Sequence, residues 1–262
     1  MVCCGAINWD INLFMRRLPR VGEELPVKEI QRVSGGTAAN VAVTSSRILG
    51  RGRVVLLGAL GDDNIAEVQR GILKDEGVDV SGVLEVLGEE SGQAYITIDE
   101  EGENEIHTYF GANNSLTSEC LSDPSRIKLI ESCDVSVIMD PPLETAETLA
   151  ELSKDNGSTV LWDPGVHSEL GLKALEPVMV NIDYFILNHL EFENLVGTSN
   201  PEEIATIMGE RFKGMKSILK LGSNGATLIG GESDTTIHVN ALPLKRLGLE
   251  VVNTPSAAVT PS

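Results

Sequence analysis

Three carboxylates stand where apolar runs of this 262-residue chain stop. Asp10 follows "VCCGAI", Asp140 closes "VSVIMD" and Asp163 closes "TVLWD". A carboxylate only accepts hydrogen bonds, and it can take two from neighbouring hydroxyls. One such Asp is an ordinary turn residue. Three at strand ends point to a polyol site or a metal–phosphate site. Gly35 and Gly36, in "SGGTAANVAV", let a backbone approach a ligand closely, and Asn40 follows on the first turn of the next helix. In "YFILNHLEFENLVG", Asn188 and Glu191 are three residues apart and share a face of a starting helix. An amide and a carboxylate there can hold water and Mg²⁺ near phosphates, or simply cap the helix. In "ILKLGSNGATLIGG", Lys220, Gly222 and Gly225 form either a glycine hairpin turn or a platform for a nucleotide. Asp62-Asp63 suffices as a helix cap.

The elements that must position these residues follow from hydrophobic period. Strands are expected at "VCCGAI", "VVLLGAL", "VSVIM", "TVLWD", "YFILN", "SILKLG" and "TLIGG", and helices over 39–49, 64–76, 144–156 and 201–212. Continuous apolar runs after residue 130 suit strands covered on both faces, hence a mostly parallel sheet between helices. "EELPVKEIQRVS" and "SGQAYITIDEEGENEIHTYFG" alternate instead and read as a second, small sheet with a hairpin at Glu101–Asn104. The expected organisation is one α/β domain over 1–262, with lid segments at about 12–33 and 92–110 inserted in it. In such a sheet the ligand crevice lies beyond the carboxyl ends of the strands.

Composition limits the partners. Lys and Arg number 20 against 39 Asp and Glu, a formal charge of −19, which repels nucleic acid. An anionic substrate then needs backbone N–H groups, a metal or a chosen Lys. Aromatic residues are only 4%, so aliphatic side chains must fill the core. The four cysteines lack CxxC spacing and read as packed thiols of a cytoplasmic protein. The four histidines lack metal spacing. No segment reads as a membrane span or signal peptide. There is no GxxxxGK[ST] and no GxGxxG after the first strand, so neither a P-loop nor a dinucleotide fold of that type is expected.

No single motif outweighs its structural explanation; their order does. An early Asp followed by "LPRVGE", then "GGTAAN", "GDD", "GENEI" with "GAN", "NHLEFE" and "KLGSNG" resembles the ribokinase/PfkB family of ATP-dependent sugar and nucleoside kinases, from about residue 2 to Thr254. The resemblance implies a three-layer α/β/α sandwich with a small β-sheet lid, often also a homodimer contact. It implies ATP and Mg²⁺ as cofactors and transfer of the γ-phosphoryl to a substrate hydroxyl. It assigns Asp10, Gly35, Gly36, Asn40 and Asp140 to the substrate, a sugar or nucleoside. It assigns Asn188, Lys220, Gly222 and Gly225 to the nucleotide, and Glu191 to the metal. "WDPG" leans toward archaeal members.

The family's anion hole and general base lie in a T-x-G-A-G-D motif. Here Asn253-Thr254 matches its start, but Ser256, Ala257 and Ala258 replace the glycines' stretch and Val259 stands at the base position. A valine accepts no proton, so the chain is expected to turn over little or not at all. A one-base frameshift after Thr254 can restore a Gly-Asp-Thr-Phe string. A truncation or a decayed paralogue are the competing accounts, and the coding DNA decides among them.

Overall fold

The structure, a computed structural model, describes residues 1–230 and 236–242. The calls on Asn253, Thr254 and Val259 lie outside these residues. The described residues divide into two compact units, Val2–Thr117 and the residues from Ser118 to Leu242, with Met1 in the latter.

In the first unit, β1 (Val2–Gly5) pairs in parallel with β4 (Val55–Leu57), and both are buried throughout. Between them run β2 (Asn8–Phe14), β3 (Glu29–Gly35) and α1 (Thr37–Leu49). The run "VVLLGAL" does not make one strand. It divides at Gly58 into β4 and β5 (Ala59–Gly61), and a side chain at Gly58 would meet Ile7. Helix α2 (Asn64–Asp75) follows, and β6 (Leu84–Val86) pairs with β5. β7 (Gly92–Ile98) and β8 (Asn104–Tyr109) form the expected hairpin. Its turn is organised by Asp99, whose Oδ1 accepts from the N–H groups of Glu101 and Glu103 at 2.9 and 3.0 Å.

These strands form a four-stranded sheet in the order β3-β2-β7-β8. The small sheet read from the alternating segments is therefore present, and β2 joins it at the centre. Asp10 lies beyond the first strand, as expected, but within a strand of its own rather than on a turn. Pairing sets Asp10 beside Val33 and Ala94, and Asn12 beside Gln31 and Ile96. One face carries Asp10, Asn12, Ala94, Ile96 and Ile98, all buried.

In the second unit, the short α3 (Ser118–Leu121) and α4 (Pro124–Glu131) precede β9 (Val135–Met139), α5 (Leu143–Asp155) and β10 (Thr159–Asp163). Then come α6 (Leu172–Met179), β11 (Tyr184–Asn188), α7 (His189–Val196), α8 (Pro201–Arg211), β12 (Lys216–Lys220), β13 (Ala226–Ile229) and β14 (Ile237–Val239). Strands β9 to β12 are parallel neighbours in chain order, and β13 and β14 add antiparallel at one side. Trp162, Phe185 and Phe192 stack within the core, with ring centroids 5.6 and 6.2 Å apart. Three of the chain's few aromatic residues are thus spent on one contact, which holds α7 against the sheet.

The apolar runs predicted strands buried on both faces. Among the described residues β11 and β12 are buried on one face, while Tyr184, Ile186, Lys216 and Ile218 on the other are half-buried. An apolar run has hydrophobic residues at both parities, so it cannot tell the two faces apart.

Candidate functional site

In the first unit the candidate residues meet where β3 runs into α1. Asp10 is 3% exposed, and a side chain at Gly35 would occupy the space of its carboxylate. Gly36 caps α1 at φ 97°, and a Cβ there would lie 2.5 Å from the Ala6 carbonyl oxygen and the Asn8 nitrogen. Only glycine combines that backbone angle with that approach. Asn40 is on the first turn of α1, half-buried, its N–H donating to the Gly36 carbonyl at 2.9 Å. The Asp10 carboxylate thus lies against Gly35, while Gly36 and Asn40 open the helix that follows.

Polar contacts fix this corner. The Asn113 side chain accepts from the Ile7 N–H at 2.9 Å and donates to the Ile7 carbonyl at 3.1 Å and to Asn8 Oδ1 at 2.9 Å. Gln69 is fully buried; its amide donates to the Asn8 carbonyl at 2.5 Å and accepts from the Ser34 hydroxyl. Neither Asn113 nor Gln69 was singled out as a site residue. The signal for Asn113 was the quoted "GAN", and Gln69 gave none beyond a polar residue in an amphipathic helix.

Asp63 caps α2 as predicted, accepting from the Ala66 N–H at 2.9 Å. It also accepts from the Ser91 N–H and hydroxyl at 2.8 and 2.7 Å. Burial, the largest single influence, raises its carboxyl, but these donors together outweigh it and hold the group below its usual range.

In the second unit the candidates stand at the carboxyl ends of adjacent parallel strands. Asp140 follows β9 at φ 56°, the one non-glycine residue at positive φ among those described. Its carboxylate lies against Gly165, where no side chain fits. Asp163 closes β10, 8% exposed; its Oδ1 accepts from the Gly165 N–H at 3.2 Å, and its Oδ2 pairs with Lys220 Nζ at 2.6 Å. Gly165 therefore brings both strand-end acids together, and Lys220 reaches over from β12. The role of Asp163 as the partner that holds Lys220 was not legible in the spacing.

Asn188 and Glu191 form a complete capping box. Asn188 Oδ1 accepts from the Glu191 N–H at 2.9 Å, and Glu191 Oε2 accepts from the Asn188 N–H at 2.6 Å. That uses the amide oxygen and one carboxylate oxygen, leaving the Asn188 NH₂ and Glu191 Oε1 for a ligand. Among the described residues no group of three or more His, Cys, Asp or Glu is set to hold a metal directly. An amide and one carboxylate suit a Mg²⁺ that keeps most of its waters. Gly222, at φ 55°, and Gly225 bound a one-turn connection between β12 and β13; a side chain at Gly225 would collide with the Val239–Ala241 backbone. The hairpin alone thus accounts for Gly225.

The four cysteines are thiols outside any disulfide, with Cys3, Cys4 and Cys133 buried. Burial first, and the neighbouring Cys3 second, push the Cys4 thiol far up, so it stays protonated. Among the described residues no helix is long and apolar enough to cross a membrane.

Comparison with known proteins matches the family model "pfkB family carbohydrate kinase" to residues 1–254. An ATP-dependent ribose-1-phosphate kinase of Halopiger xanaduensis is 27% identical over 226 residues, 86% of this chain and 72% of that protein. A ribokinase of Haemophilus influenzae is 27% identical over 225 residues, 84% of this chain and 71% of that one. The structure of Arabidopsis thaliana ribokinase complexed with ribose and ATP superposes with a TM-score of 0.79 at 26% identity. The match spans 92% of this chain and 78% of that one.

Proposed function

This chain belongs to the pfkB family of carbohydrate kinases, phosphotransferases with an alcohol group as acceptor, and on that premise we propose that it binds a sugar hydroxyl and ATP with Mg²⁺. One observation carries the reading. A carboxylate that is 3% exposed rests on the backbone of a di-glycine that opens a helix, with an amide on its first turn. Asp10 accepts from substrate hydroxyls, and Asn40 donates or accepts beside it. Asp140, whose carboxylate lies against Gly165, is a separate candidate hydroxyl acceptor of the second unit.

Phosphoryl transfer needs positioning and charge stabilisation more than covalent help. Lys220 supplies a cation toward the phosphates, and Asp163 fixes where that cation stands. The Gly222–Gly225 turn contributes backbone N–H groups. Asn188 and Glu191 would hold a hydrated Mg²⁺, which would supply positive charge to offset the phosphates. ATP use by this chain is supported by the ATP-bound relative of the same fold.

Turnover by this 262-residue chain is a separate proposal. Val259 has no atom to take the proton of the attacking hydroxyl, and lacking a general base costs about 10²–10⁴-fold. The chain then behaves as a ligand-binding protein that phosphorylates slowly or not at all. Ile30, Tyr95 and Tyr109, exposed on one face of the small sheet, favour a homodimer contact there. A melting-shift panel of sugars and nucleosides, run with wild type and Asp10→Asn, tests the binding proposal. Stabilisation by a sugar that Asp10→Asn abolishes is expected; equal shifts in both proteins, or none, sink it. A coupled kinase assay of this chain, and of one read in the alternate frame after Thr254, tests the turnover proposal.

A further inference from the structure

We propose that Asn12 is a specificity-determining residue that reads an uncharged donor–acceptor group of the substrate, one side-chain step along β2 from Asp10. The proposal rests on the sugar-binding reading above and narrows it. Asn12 is 0% exposed, and neither its Nδ2 nor its Oδ1 has a hydrogen-bond partner. A carboxamide offers two donors and an accepting oxygen. Leaving such a group buried and unmet is costly, and native folds rarely do so.

Local structure gives no reason for it. Asn is a poor strand former, and its neighbours in register are Gln31 and Ile96, with Ala94 and Ile98 buried beyond. An aliphatic residue would pack there at no polar cost. Other buried amides of this unit are fully employed: Asn113 bonds Ile7 and Asn8, and Gln69 bonds Ser34 and Asn8. Among the described residues of this unit, Asn12 is the one whose buried side-chain nitrogen and oxygen both lack a partner.

Placement says what the missing partner is. Asp10 and Asn12 alternate onto the same face, about 7 Å apart along the strand. A substrate whose hydroxyls Asp10 accepts would present a second polar group to Asn12. The positions in register on that face are Val33, Gln31, Ala94, Ile96, Thr108 and Ile106, and none carries a positive charge. A phosphate there would meet Asp10 with no cation to offset it. An uncharged group with adjacent donor and acceptor, such as a heterocyclic base edge or an amide, matches the carboxamide at both ends. Because the amide is closed from solvent, the face must open to admit the ligand, and the unmet hydrogen bonds are made only in the complex.

The test uses the full chain, wild type and Asn12→Leu, a near-isosteric change. Thermal melting is combined with titration of ribose, ribose 1-phosphate, inosine and cytidine. We expect Asn12→Leu to melt about 2–4 °C higher without ligand. It should lose at least about tenfold in affinity for the preferred nucleoside, while ribose affinity moves less than about twofold. Unchanged affinity ratios in Asn12→Leu overturn the proposal and leave a purely structural amide. Wild-type preference for ribose 1-phosphate also overturns it. Binding of none of the four probes overturns the sugar-binding reading together with this one. Asn12→Val is the second variant; failure of both to fold overturns the proposal too, since an amide without partners cannot be what the fold requires.

Discussion

The two units hold their candidate residues in opposite ways. From Ser118 onward several candidates have a second employment: Asn188 and Glu191 cap α7, Gly225 makes room for a neighbouring backbone, and Lys220 pairs with Asp163. In the first unit the buried amide of Asn12 has no hydrogen-bond partner at either end. A residue that already satisfies the fold says little about a ligand. A buried polar group that the fold does not satisfy says more.

Substitutions can break that contrast. The largest effect is expected from Gly35→Val, whose side chain must displace the Asp10 carboxylate. Overpacking of this kind costs about 1–3 kcal/mol, and sugar affinity should fall by about 100-fold as the carboxylate moves, roughly 2.7 kcal/mol. Calorimetric titration of the folded variant with its best sugar checks this; retained affinity would mean that Asp10 is no ligand. Next comes Lys220→Met, expected to weaken ATP binding about tenfold, or about 1.4 kcal/mol, with adenosine unaffected. Equal losses for both ligands would show that the ion pair with Asp163 is structural only.

Glu191→Gln separates the two employments of the capping box. Gln can still accept from the Asn188 N–H, so denaturant unfolding should shift by less than about 0.5 kcal/mol. Mg²⁺-dependent nucleotide binding should still weaken about three- to fivefold, by analogy with other single charge contacts. If binding is unchanged, Glu191 is a cap and nothing else.

The last effect is on stability alone and concerns Asp63. Its folded carboxyl lies below the unfolded value of about 3.9. Its stabilisation is therefore complete above about pH 5 and is lost as pH falls through the folded value. Asp63→Ala should cost about 1 kcal/mol at pH 7 and flatten the acid limb of the stability curve. An identical acid limb in both proteins contradicts this account.

The strands from β9 to β13 were legible as short apolar runs, and "VSVIM", "TVLWD" and "YFILN" became β9, β10 and β11, whereas helices α6 and α7 were not among the helix spans read from the sequence. β2 was not seen as a strand. "NWDINLF" puts two polar residues on the face that is buried, which defeats any reading by hydrophobic alternation. β6 and β14, three residues each, carry too few side chains to show a period. Site residues were legible by their order along the chain. Their partners were not, because the contacts of Lys220 with Asp163 and of Asn113 with Ile7 join positions 57 and 106 residues apart.

That last separation has a bearing on how the chain is made. The Ile7 backbone gives both its N–H and its carbonyl to a side chain 106 residues downstream, and β2 pairs with β7, whose residues emerge some 84 positions after it. Contacts so distant pay their loop-closure entropy late. On the ribosome, the corner that carries Asp10 must wait, unzipped, until Asn113 has left the exit tunnel.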